Sequence, residues 1–438
     1  MLLNKVGFDV TVSGLEPGSN TELRLDGETI ATGSGASLVA TNIIVSETGT
    51  ASIDVLQNGE SILQQELAVI PAAISVLPPL VAILLAFLVR SVIPALFVGL
   101  VVGAWAVNGL TGYGAFVGFF QTVTVYVLNT AIDPSHMAIM IFTFMIGGMV
   151  GVISRNGGMV GIVDRIMPLA RTPRRGQGVV AVLGLSIFFD DYANTLIVGN
   201  ATRPMSDRLH ISREKLAYLV DSTAAPVSTI AVITTWIGFQ LGLIDAAVKS
   251  LDGISQTPYV LFLNSILYSF YPFLAIFFVF LVIYTGKDFG AMYHAEVRAR
   301  HTGEVKRTTT TVSTDKSGDE FYHKNTIPCR ARNAVLPIVT MVLTVIIGLF
   351  ISGEGETLTE IIGSADPYGV LIWASLLGCL VAAALSLGQR LLTLEETIDA
   401  WLAGARFMMT GLVLLILAWA IADVASDLQT APYLISVL

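Results

Sequence analysis

Asp190 and Asp191 stand side by side, Asn194 and Thr195 follow within one helical turn, and a third carboxylate, Asp221, lies beside Ser222 and Thr223. Carboxylate, amide and hydroxyl oxygens are hard ligands of the kind a small cation takes up in place of water. Two adjacent carboxylates repel each other, so a proton and a metal cation compete for the same oxygens. That competition is a sufficient physical basis for exchanging one for the other.

The elements around these residues give them their meaning. The chain is apolar from Val179 to Phe189, meets Asp190 and Asp191, runs apolar again over Thr195–Val198, and then turns polar and basic. Neither arm, Val179–Phe189 or Ala193–Ala201, reaches the roughly 20 residues that a helix needs to cross a bilayer. Carboxylates at membrane depth are costly unless they face water or another polar group, and they mark ion or proton pathways. Broken backbone is tolerated there on the same condition. The 178–202 stretch therefore reads as a re-entrant hairpin carrying a candidate cation site. Asp221 has two readings, an N-cap before Ser-Thr-Ala-Ala-Pro or a carboxylate inside a span that Pro226 interrupts.

Of the 438 residues, 54% are hydrophobic and 13% charged, about half the charge of a soluble domain. The fold class is an all-α polytopic membrane protein of about nine or ten membrane segments, the re-entrant hairpin included. Apolar runs fall at 73–89, 92–110, 114–131, 136–153, 178–189, 216–244, 259–285, 333–351, 368–388 and 407–425. Basic clusters at 155–175, 203–215 and 286–332 read as cytoplasmic, while the acidic 352–367 reads as outside. The basic loops on both sides of 178–202 require that stretch to enter and leave on one side. The same alternation makes either 114–131 or 136–153 interfacial or re-entrant, and the polar side chains Gln121, Thr122, Thr124, Tyr126 and Asn129 favour 114–131.

Residues 1–70 differ. FDVTVSGL, TELRLDG, ASIDVLQNG and SILQQELAVI alternate apolar and polar side chains between Gly, Asn and Asp turns, the period of half-buried strands. They predict a small β-sandwich-like domain. Lys5 and Arg24 stand against nine acids there, which favours the extracytoplasmic side. Met1-Leu2-Leu3 is too short an apolar start for a signal peptide, and a truncated or processed N-terminus is expected. Residues 73–285 form a first transmembrane half, 286–332 a cytoplasmic linker, and 333–438 a second, incomplete half. Cys329 and Cys379 show no metal spacing and read as free thiols. No phosphate-loop glycine pattern or His-Glu-x-x-His occurs, and the charge in 286–332 is too mixed for nucleic acid.

FFDDYANTLIVGNATRPMSDRL followed by ISREKLAYLVDSTAAPV resembles the signature of the NhaC-type Na+/H+ antiporter family, part of the ion transporter superfamily. Asp-Asp-Tyr-Ala-Asn-Thr, Arg-Pro, Ser-Arg-Glu-Lys and Asp-Ser-Thr-Ala-Ala-Pro occur in order. The resemblance implies two inverted repeats, each with a polar hairpin near the midplane. Only the first hairpin is present within these residues. It implies a multi-pass protein of the plasma membrane exchanging sodium for protons, with no cofactor, and the small cation and the lipid bilayer as partners. It is not an enzyme on this reading. Asp190 or Asp191 would be the exchangeable carboxylate, with Asn194, Thr195, Asp221, Ser222 and Thr223 as polar neighbours. A sodium-coupled carrier of organic anions or amino acids, and a non-transporting fragment, stay open, as does a homo-oligomer. An intramembrane aspartyl protease would carry Gly-x-Gly-Asp, which does not occur.

Overall fold

The computed structural model describes every residue except 17, 189–190, 233, 250–255, 308–326, 356–360, 362–363 and 438. Asp190 thus lies outside the described residues. The chain divides into two compact units, Met1–Asp133 with Thr410–Leu438, and Pro134–Met409.

The first unit begins with the small sheet domain. Seven strands form it, and several alternate buried and exposed positions, as in Ser37–Ile44 (β5), where Leu38, Ala40 and Ile43 are buried. Five strands form one sheet: Leu2–Leu3 (β1), Glu60–Ile70 (β7), Gly49–Gln57 (β6), Thr21–Leu25 (β3) and Glu28–Gly33 (β4), in that spatial order. Gly7–Ser13 (β2) pairs antiparallel with β5 in a second sheet. Phe8, Leu23, Ala51, Ile53 and Val55 belong to their shared core. β1 runs parallel to β7, and Asn4 Oδ1 then accepts from Ala72 N at 2.8 Å, tying the chain start to the first helical turn.

Three helices follow: Leu77–Val89 (α1), Val92–Val107 (α2) and Gly112–Ile132 (α3). The segment expected to be interfacial, 114–131, is part of α3, which is helical throughout with a π turn at Thr122–Val127. Several of its polar side chains are paired. Tyr126 donates its hydroxyl to Asp427 Oδ2 at 2.8 Å, and Thr130 Oγ1 donates to Asp423 Oδ2 at 3.1 Å.

The second unit is helical. Among the described residues of the whole chain, six helices are long and apolar enough to cross a membrane. They are Ala72–Val89, α3, Pro134–Arg155 (α4), Arg332–Ser352 (α14), Pro367–Gly388 (α15) and Leu394–Asp427 (α16). A seventh results if Pro258–Ile266 (α11) and Phe270–Thr285 (α12), bent by 40°, count as one span. The remaining helices are Gly158–Ile166 (α5), Pro173–Ser186 (α6), Asp191–Arg208 (α7), Arg213–Asp221 (α8), Ala225–Ile230 (α9), Thr235–Lys249 (α10) and Gly290–Thr302 (α13), with Thr430–Val437 (α17) closing the chain. The apolar run 216–244 is therefore not one span. It is cut at 222–224 and again at Ala231 and Val232, before α10. Glycines of MIGGMVGVIS bring α4 against the start of α16: a Cβ at Gly151 would meet the Ala400 carbonyl, and one at Gly404 the Gly147 carbonyl. Small residues at such contacts let helix backbones touch within a bilayer.

Candidate functional site

Thr172 starts α6 by accepting a hydrogen bond from Arg175 N at 3.3 Å, and Pro173 occupies the first helical position. Both are ordinary start signals. The helix ends at Ile187, which leaves helical geometry at φ −107° and ψ 60°. α7 then opens on Asp191, placing a negative charge where the helix dipole favours one, and closes with Arg208. The stretch expected to form a hairpin thus holds two separate helices, α6 and α7.

The second break lies between α8 and α9. Ser212 caps α8, accepting from Lys215 N at 3.1 Å. Asp221 is its last residue, Ser222 follows as C-cap, and Pro226 sits in the first turn of α9. Proline cannot donate a backbone hydrogen bond, so the helix restarts there instead of continuing. Asp221 is thus at a helix C-terminus, not an N-cap, and its side chain is exposed.

Asn194 joins the two breaks. Its Nδ2 donates to Gly184 O at 2.7 Å and Ile187 O at 3.1 Å, at the end of α6, and to Thr223 O at 3.2 Å, in the second break. Asn194 is completely buried, and its Oδ1 has no partner among the described residues. A buried carbonyl oxygen without a partner costs about 1–3 kcal/mol, so it is a vacant acceptor at the crossing. Thr223 is equally buried, with Oγ1 donating to Leu219 O at 2.7 Å. Its hydroxyl proton is therefore engaged by the backbone. Gly184 makes the contact possible: any Cβ there would run into the Thr223 side chain.

Asp191 is held from a third element. Trp236 Nε1 donates to Asp191 Oδ1 at 2.9 Å. Trp236 is itself fixed at the start of α10, because Thr234 Oγ1 accepts from Trp236 N and Ile237 N, both at 3.2 Å. Thr234 Oγ1 donates to Ser228 O at 3.0 Å, and Ser228 Oγ donates to Phe188 O at 3.2 Å. The chain of bonds returns to the α6 break.

Of the residues singled out by sequence, Asn194 and Thr223 are brought together, and Asp191 lies one turn before Asn194 on α7. Ser222 is half-buried beside Thr223. Thr195 is exposed on α7, a helix step away from the buried face. Sequence reasoning missed Trp236, Gly184, Ser228 and Thr234. The run Thr-Thr-Trp-Ile at 234–237 carried a capping signal, but nothing in it pointed toward Asp191.

Among the described residues no group of three or more His, Cys, Asp or Glu side chains could hold a metal ion. The oxygens at the crossing are instead mixed: carboxylate, amide, and backbone carbonyls freed by two helix breaks. Discontinuous helices meeting inside a bundle of spans are the means by which secondary transporters bind small ions without a cofactor. Its long apolar helices make the chain a multi-pass membrane protein. Residues 227–438 match the model of the Na+/H+ antiporter family, in agreement with the resemblance carried by residues 188–226. The match supports a cation/proton antiporter-type transporter, and the family is one of transporters, not enzymes. An uncharacterized protein of Haemophilus influenzae is 25% identical over 373 residues, covering 83% of this chain and 69% of its own length. No solved structure matches.

Proposed function

We propose that this chain exchanges sodium for protons at the crossing of the α6–α7 break with the α8–α9 break. Asp191, with its neighbour Asp190, is the exchangeable carboxylate. Asn194 Oδ1 supplies a neutral ligand oxygen, Thr195, Ser222 and Thr223 lie along the path, and Asp221 is a second carboxylate on it. The observation that supports this reading is the buried, unpartnered Oδ1 of Asn194, one helical turn from a carboxylate. A sodium ion would satisfy that oxygen. Release of the ion would let the carboxylate take a proton, so that the two cargoes exclude each other. On this reading the protein is a multi-pass protein of the plasma membrane with its sheet domain outside, and the 286–332 segment is cytoplasmic.

Proteoliposomes with an internal pH dye test it. Sodium, lithium, potassium and organic anions are added in turn to the native chain and to Asp190→Asn and Asp191→Asn. A sodium- or lithium-evoked pH change that disappears in Asp191→Asn supports the exchange site. Flux evoked by an organic anion alone makes the protein a sodium-coupled carrier and removes the reading.

A further inference from the structure

The junction between α5 and α14 holds a cavity of about 650 Å3 lined by Gly161, Asp164, Arg165, Cys329, Arg330, Ala331 and Arg332. Its walls are locked. Gly161 lies against the Arg330–Ala331 backbone so closely that a Cβ there would sit 2.8 Å from Arg330 N. Gly157, at φ +76°, leaves room for Cys329, whose Sγ would lie 3.2 Å from a Cβ at that position.

The charge in this cavity is not balanced. Its lining residues include three arginines and one carboxylate, Asp164. Arg330 Nη1 and Arg332 Nη2 both donate to the same neutral acceptor, Gln389 Oε1, at 3.1 and 3.2 Å. Gln389 is held in turn, its Nε2 donating to Asn333 Oδ1 at 2.7 Å. Among the described residues, Arg165 has no hydrogen-bond or ion-pair partner, and neither Arg330 nor Arg332 has a carboxylate. The arginines of α13 behave differently. Arg298 grips Glu214 with bonds of 2.9 and 3.0 Å, and Arg300 pairs with Glu296 at 3.0 Å. Two like charges that share one neutral amide oxygen repel each other, and an anion between them would offset that repulsion. The cavity lies between α5, which follows the span ending at Arg155, and Arg332, which opens the next span. It therefore sits at the membrane boundary, where basic pockets between spans meet anionic headgroups.

We propose that this cavity binds a phosphate group, carried either by an anionic lipid or by a soluble phosphate, with Arg165, Arg330 and Arg332 as its ligands. Arginine forks match two phosphate oxygens at once. Asp164 weakens the site by repelling the same charge. The site is independent of the ion crossing.

Cys329 lines the cavity and reports on its occupancy. The full-length protein in detergent is treated with N-ethylmaleimide, and modification of Cys329 is followed by peptide mass spectrometry. Additions are inorganic phosphate, short-chain phosphatidylglycerol, or dioctanoylglycerol, which lacks phosphate. Rates are expressed relative to each variant's own rate without additive. Phosphatidylglycerol is expected to slow labelling at least threefold. This protection is lost in Arg165→Gln/Arg330→Gln and retained in Arg165→Lys/Arg330→Lys. Asp164→Asn should reach the same protection at a several-fold lower concentration, an increase that misfolding could not produce. Protection by inorganic phosphate as well identifies a soluble source, and protection by the lipid alone identifies the membrane. Equal protection by dioctanoylglycerol, or none by either phosphate compound, overturns the proposal.

Discussion

The amide of Asn194 donates to the carbonyl of Thr223 at 3.2 Å while also holding Gly184 and Ile187 at the end of α6. One side chain thus binds two interrupted helices together and keeps its own carbonyl oxygen unpartnered and buried. Asn194→Asp keeps the volume but turns a donor toward three carbonyl oxygens into an acceptor. Thermal unfolding should fall by an amount corresponding to about 2–4 kcal/mol, since a buried group loses its bonds and faces like dipoles. Asn194→Ala should cost less stability and abolish sodium-evoked flux in proteoliposomes. A native melting temperature in both variants would show that the crossing does not depend on this amide.

Trp236 donates to Asp191 from a separate helix. Trp236→Phe removes the donor and keeps the ring. The carboxylate then loses the bond that fixes its position, so the sodium concentration giving half-maximal flux should rise about threefold to tenfold, the range expected for one net hydrogen bond. An unchanged sodium dependence would remove Asp191 from the exchange step.

Lys215 and Asp288 form a buried ion pair, with side chains 1% and 7% exposed. The pair joins α8 to the segment leading into α13, and Glu296 adds to it by accepting from Ser212 N at 2.8 Å and from Ser212 Oγ at 2.7 Å. Removing one partner leaves a charge buried alone. Lys215→Met should therefore destabilise the fold by about 3–5 kcal/mol, and Lys215→Met/Asp288→Leu should recover much of the loss. Unfolding rates of the detergent-solubilised variants measure both effects. If the double variant is no better than the single one, the pair does more than neutralise itself.

Burial pushes the Cys329 thiol up from its ordinary range, and the Asp164 carboxylate pushes it further in the same direction. Only the thiolate reacts with maleimides. Labelling of Cys329 at pH 7 should be slow and should rise with pH past the point where a free cysteine levels off. Asp164→Asn removes one of the two causes and should speed the reaction at pH 7–8. A rate equal to that of free cysteine across this range would contradict the environment described for the thiol.

Membrane class and the sheet domain were legible in the sequence because each rests on a local pattern. Alternation at period two marks strands wherever it occurs. Uninterrupted apolar runs mark spans because a bilayer offers backbone groups no partners. The Asp190–Asp191 pair between two arms too short to cross was visible for the same reason. The cut in the run 216–244 was half visible. Pro226 announced a restart, but residues 231–234 carry no proline or glycine, and the break at Ala231 and Val232 is stabilised by Thr234 capping α10.

What only the tertiary structure decided is which oxygens meet. Asn194 and Thr223 are 29 residues apart, and Asp191 and Trp236 are 45 apart. No periodicity links either pair. Their meeting depends on how α6, α7, α8 and α10 pack, and that packing depends on contacts such as Gly184 under Thr223. The sequence by itself determined the kind of solvent each segment can live in, because hydropathy and charge act locally. The site is set by long-range packing, because hydrogen bonds form only between groups that many other contacts have already brought within 3 Å or so of each other.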